Sequence, residues 1–259
     1  MFRKKTQALH FAVDDHNAEG LTAHKDLVHR YGSVDMAQAD VIVALGGDGF
    51  MLHTLHHAMA LDIPVFGMNL GSIGFLMNDY NTSPLLKRIE DALSVVISPL
   101  RMDARYCSEG SETFYALNEV SLLRQLHQAA KIRIHVDGRV RLEKLMGDGI
   151  IVATAAGSTA YNFSASGPIL PITSNLITMT PISPFRPRRW RGALLPDDVS
   201  IRLEVLESAK RPVSVSADYQ EARNVCAVDI CKAKNKTVTL LYDSHQTLAE
   251  RIIAEQFES

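Results

Sequence analysis

The run Asp40-Val41-Ile42-Val43-Ala44-Leu45-Gly46-Gly47-Asp48-Gly49-Phe50 constrains the fold more than any other stretch of the chain. Its unbroken apolar residues 41–45, closed by two glycines, predict a strand buried on both faces, as in the middle of a parallel sheet. Glycines Gly46, Gly47 and Gly49 around one aspartate admit backbone conformations closed to other residues and bring N–H groups close to any occupant, for which phosphate is the natural choice. Residues 51–60 have helical composition, so a phosphate there would also meet the positive end of a helix dipole. Asp48 is the odd member. A carboxylate beside phosphate is repelled by it, so its presence implies a chemical role, either taking a proton from an attacking hydroxyl or holding a metal ion. A glycine turn after a strand is also an ordinary strand-to-helix corner, and the aspartate is what sets this one apart. The turn matches neither Gly-x-x-x-x-Gly-Lys-Ser/Thr nor Gly-x-Gly-x-x-Gly.

A chain of 259 residues suffices for two domains with separate cores, which is the organisation expected here. Apolar content of 46%, charged content of 22% and a net charge of −2 describe a soluble globular protein with no overall attraction to nucleic acid or membrane. The apolar runs are too short to span a bilayer, and residues 1–7 are basic without a signal-peptide core, so a cytoplasmic location is expected. Cys107, Cys226 and Cys231 are odd in number and lack metal-site spacing, which predicts reduced thiols.

Residues 8–13 read as a short strand and residues 18–31 as a helix stopped by Gly32. Residues 63–68 read as a third strand, running into Asn69-Leu70-Gly71-Ser72-Ile73-Gly74-Phe75-Leu76. The two glycine-bearing loops then lie at strand C-termini, the edge where an open α/β sheet binds its ligand. Ser83-Pro84 predicts a helix with Ser83 as cap, Pro84 in the first turn, and Leu85, Leu86, Ile89 and Leu93 as its buried side. Near Leu100 the period changes to 2: residues 131–142 alternate around Asp137-Gly138 as a hairpin with one wet face, and residues 199–205 and 213–215 alternate likewise. The fold class predicted is an α/β N-terminal domain with an open, mostly parallel sheet, residues 1–99 and 243–259, and a mainly antiparallel β domain, residues 100–242. A terminal helix at 248–255 is expected to return to the first domain.

One stretch of the β domain, Gly147-Asp148-Gly149 through Gly157-Ser158-Thr159-Ala160-Tyr161-Asn162-Phe163-Ser164, runs from a buried strand into a small-residue turn and a hydroxyl-rich helix start. Such a turn can approach a ligand closely while Ser158, Thr159 and Tyr161 supply hydrogen bonds; the alternative is a helix start capped by Ser158. Asn118-Glu119, inside a strand-like segment, is either a binding pair or a polar step facing water at a bulge.

Gly46-Gly47-Asp48-Gly49, Asn69-x-Gly71-x-x-Gly74-Phe75-Leu76, Asn118-Glu119, and Asp148-Gly149 through Gly157-Ser158-Thr159-Ala160-Tyr161, in that order, closely resemble the NAD kinases. The resemblance spans about residues 40 to 220, and four ordered motifs are far more specific than any one of them. It implies an α/β domain followed by a β-rich domain, and transfer of the terminal phosphate of ATP to the 2′-hydroxyl of the adenosine ribose of NAD, giving NADP. By resemblance Asp48 is the general base toward that hydroxyl, and Gly46, Gly47 and Gly49 cradle the donor phosphates with Mg²⁺. Asn118 and Glu119 grip the adenosine part; Phe75, Asp148, Ala156, Thr159, Ala160, Tyr161, Asn162 and Ser164 surround the rest of the nucleotide. The family assembles as homodimers or homotetramers, with some contacts made across subunits. Three departures stand out: Phe50 where Thr or Asn is usual, Ala153, Ala155 and Ala156 where Ser, Pro and a hydroxyl residue are common, and Asp218-Tyr219 in place of an Asp-Gly turn.

His53, His56 and His57 have helical spacing suited to a metal, yet no carboxylate or cysteine accompanies them; His53, five residues past Asp48, is instead assigned to lean toward the nucleotide. Arg186-Pro187-Arg188-Arg189-Trp190-Arg191 has the look of a nucleic-acid patch, but the overall charge favours a solvated loop or a subunit contact. Other kinases with a Gly-Gly-Asp-Gly turn, acting on a lipid or sugar, account for Asp48 and not for the remaining motifs. A non-catalytic dinucleotide sensor does not require an ionised aspartate among phosphate-binding glycines.

Overall fold

The computed structural model describes residues 8–71, 74–82 and 84–244. It divides into two compact units, Met1–Ile97 with Lys236–Ser259, and Ser98–Asn235.

The first unit contains β1 (Leu9–Val13), α1 (Ala18–Tyr31), β2 (Val41–Gly46), α2 (Asp48–Leu61), β3 (Val65–Asn69), the two-residue β4 (Asn78–Asp79), α3 (Leu85–Glu90) and β5 (Leu93–Ile97). The second contains β6 (Leu100–Tyr106), β7 (Ser111–Ala116), β8 (Glu119–Arg124), β9 (Ala130–Val136), β10 (Arg139–Gly147), β11 (Gly149–Ala153), a 3₁₀ turn Ala156–Thr159, the short α4 (Tyr161–Ser164), β12 (Leu176–Ile182), β13 (Ala193–Pro196), β14 (Ile201–Val205), β15 (Val213–Ala217), β16 (Gln220–Arg223) and β17 (Val225–Lys232). The chain then gives β18 (Val238–Tyr242) to the first unit.

The first sheet runs β1-β2-β3-β18-β5, with β4 beside β3. All of its pairings are parallel except that of β18 with β5. Every residue of β2 is buried, which is why its apolar run does not alternate. The helix α1 is capped by the Asn17 side chain, which accepts from the Gly20 N–H, and it ends at Gly32 with φ 73°. The return strand β18 follows directly on the β-rich residues, which is why the sequence groups it with them; it lies between β3 and β5 instead, with all but Thr239 buried. The units accordingly divide at 97/98 and 235/236, where the sequence pattern suggests 99/100 and 242/243.

The third helix is shorter than expected. Pro84 occupies the cap position, Leu85 and Ile89 are buried, but Leu86 is exposed and Leu93 already belongs to β5, also exposed. The expected cap Ser83 and the terminal helix at 248–255 lie outside the described residues.

The second unit packs two six-stranded antiparallel sheets, β10-β9-β14-β17-β6-β7 and β13-β12-β11-β8-β15-β16, around one core. Alternating residues such as Ile132, Ile134, Ile201 and Leu203 from one sheet meet Leu122, Ile150, Val152 and Val215 from the other. Asp137 (φ 50°) and Gly138 (φ 71°) are both left-handed, the backbone required by a two-residue hairpin between β9 and β10. No described helix is long and apolar enough to cross a membrane.

The expectation of three reduced thiols is not met: Cys107 and Cys226 form a disulfide, and Cys231 is the free cysteine among the described residues. The cause is local pairing, since β6 and β17 are neighbours and an irregularity between Val225 and Ala227 brings the two Cα atoms to 4.9 Å. Closing a loop over 119 residues stabilises the chain by about 5 kcal/mol in the loop-entropy treatment. Alkylation of native protein prepared without reductant is expected to label Cys231 and spare Cys107 and Cys226, and reductant to lower the melting temperature. Equal labelling of all three would exclude the bond.

Candidate active site

In the first unit, β2 stops at Gly46, Gly47 takes an extended conformation (φ −114°), and Asp48 is the first residue of α2. The helix begins here because the backbone N–H of Met51 already reaches the Gly47 carbonyl, at 2.9 Å. The N–H groups of the first turn have no partner within the helix, so they form a ready anion site. A Cβ built on Gly47 or Gly49 meets nothing within 4 Å, so the turn lies open. Phe50 folds its ring over Gly46, where a Cβ would lie 3.0 Å from it; the departure at this position therefore covers the strand end with an aromatic face and offers no hydroxyl or amide.

The half-buried Asp48 carboxylate accepts from the backbone N–H groups of Phe75 (2.8 Å) and Leu76 (3.1 Å). It thereby draws the loop after β3 onto the start of α2. Gly74 permits this approach, since a Cβ there would sit 3.1 Å from Asp48 Oδ1. Asn69 shapes the same loop by accepting from the Gly71 N–H at 2.9 Å. Phe75 thus reaches Asp48 through its backbone. His53 is exposed on α2, and its carbonyl oxygen lies 2.9 Å from Nδ1 of His57. Among the described residues no group of three or more His, Cys, Asp or Glu side chains is arranged to hold a metal ion.

In the second unit, Asn118 and Glu119 lead into β8 and are held from two sides. From one side comes Asp218, in the turn between β15 and β16, which adopts a left-handed conformation (φ 52°). Its carboxylate accepts from the N–H groups of Leu117 (2.7 Å), Asn118 (2.9 Å) and Glu119 (3.2 Å), and its own N–H donates to the Glu119 carbonyl (3.0 Å). From the other side, the N–H of Thr154 donates to the Asn118 carbonyl (2.9 Å), and its hydroxyl donates to Leu117 O (2.7 Å) while accepting from Gly157 N (3.0 Å). The strap draws Gly157 against Asn118 so closely that a Cβ would lie 2.2 Å from the Asn118 carbonyl oxygen.

The Glu119 side chain is half-buried, with the Tyr161 N–H as a backbone partner and Oε2 itself buried without a partner among the described residues. Burial first, then the neighbouring Asp218 charge, push its carboxyl up to about 8. It therefore stands largely protonated at neutral pH. The Tyr161 phenol is raised too, by burial and then by the charges of Glu119 and Asp148. Asp148 stands between Gly147 and Gly149, where a Cβ would meet Ile182 O at 2.8 Å and Leu122 O at 1.9 Å respectively. Its carboxylate pairs with Arg124 at 2.5 Å, a partly exposed contact of small energetic weight.

Two of the expected hydroxyl and amide contacts are turned inward. Ser158 is fully buried: its hydroxyl donates to Ala155 O (2.7 Å) and accepts from Leu170 N (2.9 Å), so it neither caps α4 nor faces a ligand. Asn162 is also fully buried, donating to Ser158 O and Pro168 O and accepting from Thr178 and Thr180 hydroxyls. All of its side-chain bonds are thus internal, and it fixes the position of α4. Ala156, Thr159 and Ala160 are half-buried on the 3₁₀ turn that leads into Tyr161. Ser164 is exposed and borders a cavity of about 340 Å³ with Tyr161, Ser166, Ser183 and Arg191. Asp218, Thr154 and Arg191 were not among the sequence-derived site residues. The signal for Asp218 was a turn position matching a family aspartate but lacking the following glycine. Arg186 and Arg188 lie over the Phe185 ring.

Residues 2–90 match the pattern of the ATP-NAD kinase N-terminal domain, and residues 117–240 that of the ATP-NAD kinase C-terminal domain. The NAD kinase of Brucella melitensis biotype 1 is 52% identical over 250 residues, 96% of this chain and 97% of its own length. That of Xylella fastidiosa (strain Temecula1) is 54% identical over 235 residues, 91% of this chain and 90% of its own. Among solved structures, yeast NADH kinase complexed with NADH superposes with a TM-score of 0.82 over 98% of this chain and 88% of that one, at 22% identity. An Archaeoglobus fulgidus NAD kinase in complex with ATP gives 0.74 over 96% and 97%, also at 22% identity, and these two likenesses establish the fold.

Proposed function

The chain belongs to the NAD kinase family and catalyses ATP-dependent phosphorylation of NAD to NADP, and we propose that Asp48 is the residue that prepares the acceptor hydroxyl. The observation that carries this reading is the place of Asp48: the first residue of α2, among Gly46, Gly47 and Gly49, with its two oxygens aimed by the N–H groups of Phe75 and Leu76. Phosphoryl transfer asks for in-line positioning and charge neutralisation more than for covalent chemistry. An aspartate has an ordinary pKa of about 3.9 and is a weak base toward a sugar hydroxyl. Asp48 therefore acts chiefly by orienting the 2′-oxygen of the adenosine ribose, and it accepts the proton late, as general base.

The first-turn N–H groups of α2 and the glycines before them take the donor phosphates. Mg²⁺ fits as a companion of the triphosphate, because it binds mainly through phosphate oxygens and water with one or two carboxylates at most. When bound it neutralises charge on the phosphates, and Asp48 is the acidic side chain of that turn. Asn118 and Glu119 are assigned to the adenosine, and Asp148, Thr159, Ala160, Tyr161 and Ser164 to the remainder of NAD. His53 and Phe75 are assigned nucleotide contacts from the first unit. We place the enzyme in the cytoplasm as a homodimer or homotetramer.

Purified protein incubated with NAD, ATP and Mg²⁺ is expected to form NADP, detected with a dehydrogenase specific for it. Release of ADP only with a lipid or sugar acceptor, or NAD binding without turnover, would overturn the assignment.

A further inference from the structure

We propose that Asp218 is a positioning residue for nucleotide binding: its carboxylate fixes the backbone of residues 117–119 and, through its charge, sets how strongly Glu119 accepts hydrogen bonds from the substrate. The inference rests on the assignment of Asn118 and Glu119 to adenosine and extends it to a residue about a hundred positions later in the chain. Three N–H groups in a row converge on the Asp218 carboxylate, at 2.7, 2.9 and 3.2 Å, and the return bond from its own N–H closes the ring. Such a cluster sets the direction in which β8 starts and hence where the Asn118 and Glu119 side chains emerge. Asp218 holds a left-handed conformation to do so, an unfavourable backbone for a residue with a Cβ.

The second effect is electrostatic. The ribose hydroxyls and the exocyclic amine of an adenosine are hydrogen-bond donors, so Glu119 serves them best as an ionised acceptor. It is half-buried, has Oε2 buried without a partner among the described residues, and is pushed up to about 8 by burial and by Asp218. The other ionisable groups around it do not oppose this: the Tyr161 phenol is itself raised and so neutral at these pH values, and the Asp148 carboxylate, paired with Arg124, bears on Tyr161. The strap on the β11 side presents the neutral Thr154 and Ala155. Because the ionised fraction of Glu119 grows as pH rises toward and through 8, NAD affinity grows in the same direction, and NAD binding below that pH releases a proton.

The test is KM for NAD and kcat, across neutral to alkaline pH, for wild type, Asp218→Asn and Glu119→Gln, with thermal melting of each. In wild type KM is expected to fall as pH rises through about 8. In Asp218→Asn the like charge is gone, so that fall moves to lower pH by about one unit or more, while KM at high pH rises by about tenfold because Leu117 N–H loses its acceptor. Glu119→Gln cannot ionise and is expected to show a flat KM profile. A purely structural Asp218 would raise KM without moving the profile, and that result overturns the electrostatic part of the proposal. If Asp218→Asn fails to fold, Glu119→Gln decides: retention of the wild-type pH profile overturns the proposal. Absence of NADP formation by wild type at every pH is a different failure, that of the assignment of activity itself.

Discussion

Asp48→Asn is expected to lower kcat by about 10²-fold or more, while KM for NAD stays within about threefold of wild type. The substitution keeps size and one acceptor oxygen but replaces the other with an NH₂ group. That group would face the N–H of either Phe75 or Leu76, now donor against donor. The loop after β3 therefore loses one of its two ties to α2, and the protein loses about 1–3 kcal/mol of stability. A further part of that loss comes from removing negative charge at the first residue of a helix. The decisive quantity is kcat measured well below the melting temperature, where folding no longer limits it. NAD affinity should survive because Asn118 and Glu119, assigned to the adenosine, are carried by β8 and its approach in the other unit. Near-wild-type turnover of Asp48→Asn would remove Asp48 from the mechanism. A rise in KM for NAD with kcat unchanged, at unchanged melting, would instead point to a ground-state role in holding NAD.

The features legible in the sequence were those written in local chemistry. The apolar run of β2 needed no partner to be read, since only a strand covered on both faces tolerates it. The Asp137-Gly138 turn declared the β9–β10 hairpin because few residue pairs accept two consecutive left-handed conformations. The order of the glycine, Asn118-Glu119 and Gly157 motifs carried the family. What escaped depended on partners far away in the chain. The apolar run of β18 shows that it is buried but does not say in which sheet. The Cys107–Cys226 bond joins positions 119 residues apart, and an odd number of cysteines argued against any pairing. Ser158 and Asn162 look like ligand contacts because hydroxyls and amides near a turn usually face outward. Here their partners are Ala155, Leu170, Pro168, Thr178 and Thr180, all supplied by neighbouring segments of the same unit. Asp218 escaped for a related reason, since it satisfies backbone N–H groups far earlier in the chain, such as that of Asn118.

Gly157→Ala is expected to cut kcat/KM for NAD by about 10²-fold, mainly through KM, because a displacement of about 1 Å in a positioning group costs that much. The cause is steric, since Gly157 is not among the described residues with positive φ. A Cβ at this position would lie 2.2 Å from the carbonyl oxygen, 2.4 Å from the carbonyl carbon and 2.5 Å from the Cα of Asn118. All three are backbone atoms, so no rotamer change relieves the overlap. Either the 154–157 turn lifts away, breaking the bond from Gly157 N to Thr154 Oγ1, or the start of β8 retreats and takes Asn118 with it. The second movement strains the bonds that Asp218 makes to the same backbone, so the turn is the part expected to yield. In that case the N–H of Tyr161, which meets the Glu119 carboxyl, moves as well. Overpacking of this kind also costs on the order of 1–3 kcal/mol of stability. Gly47→Ala supplies the control for melting: its added Cβ meets nothing within 4 Å and its φ of −114° suits any residue, so it should melt as wild type does. If Gly157→Ala also melts as wild type and keeps its KM for NAD, the turn is not what sets the Asn118–Glu119 pair in place.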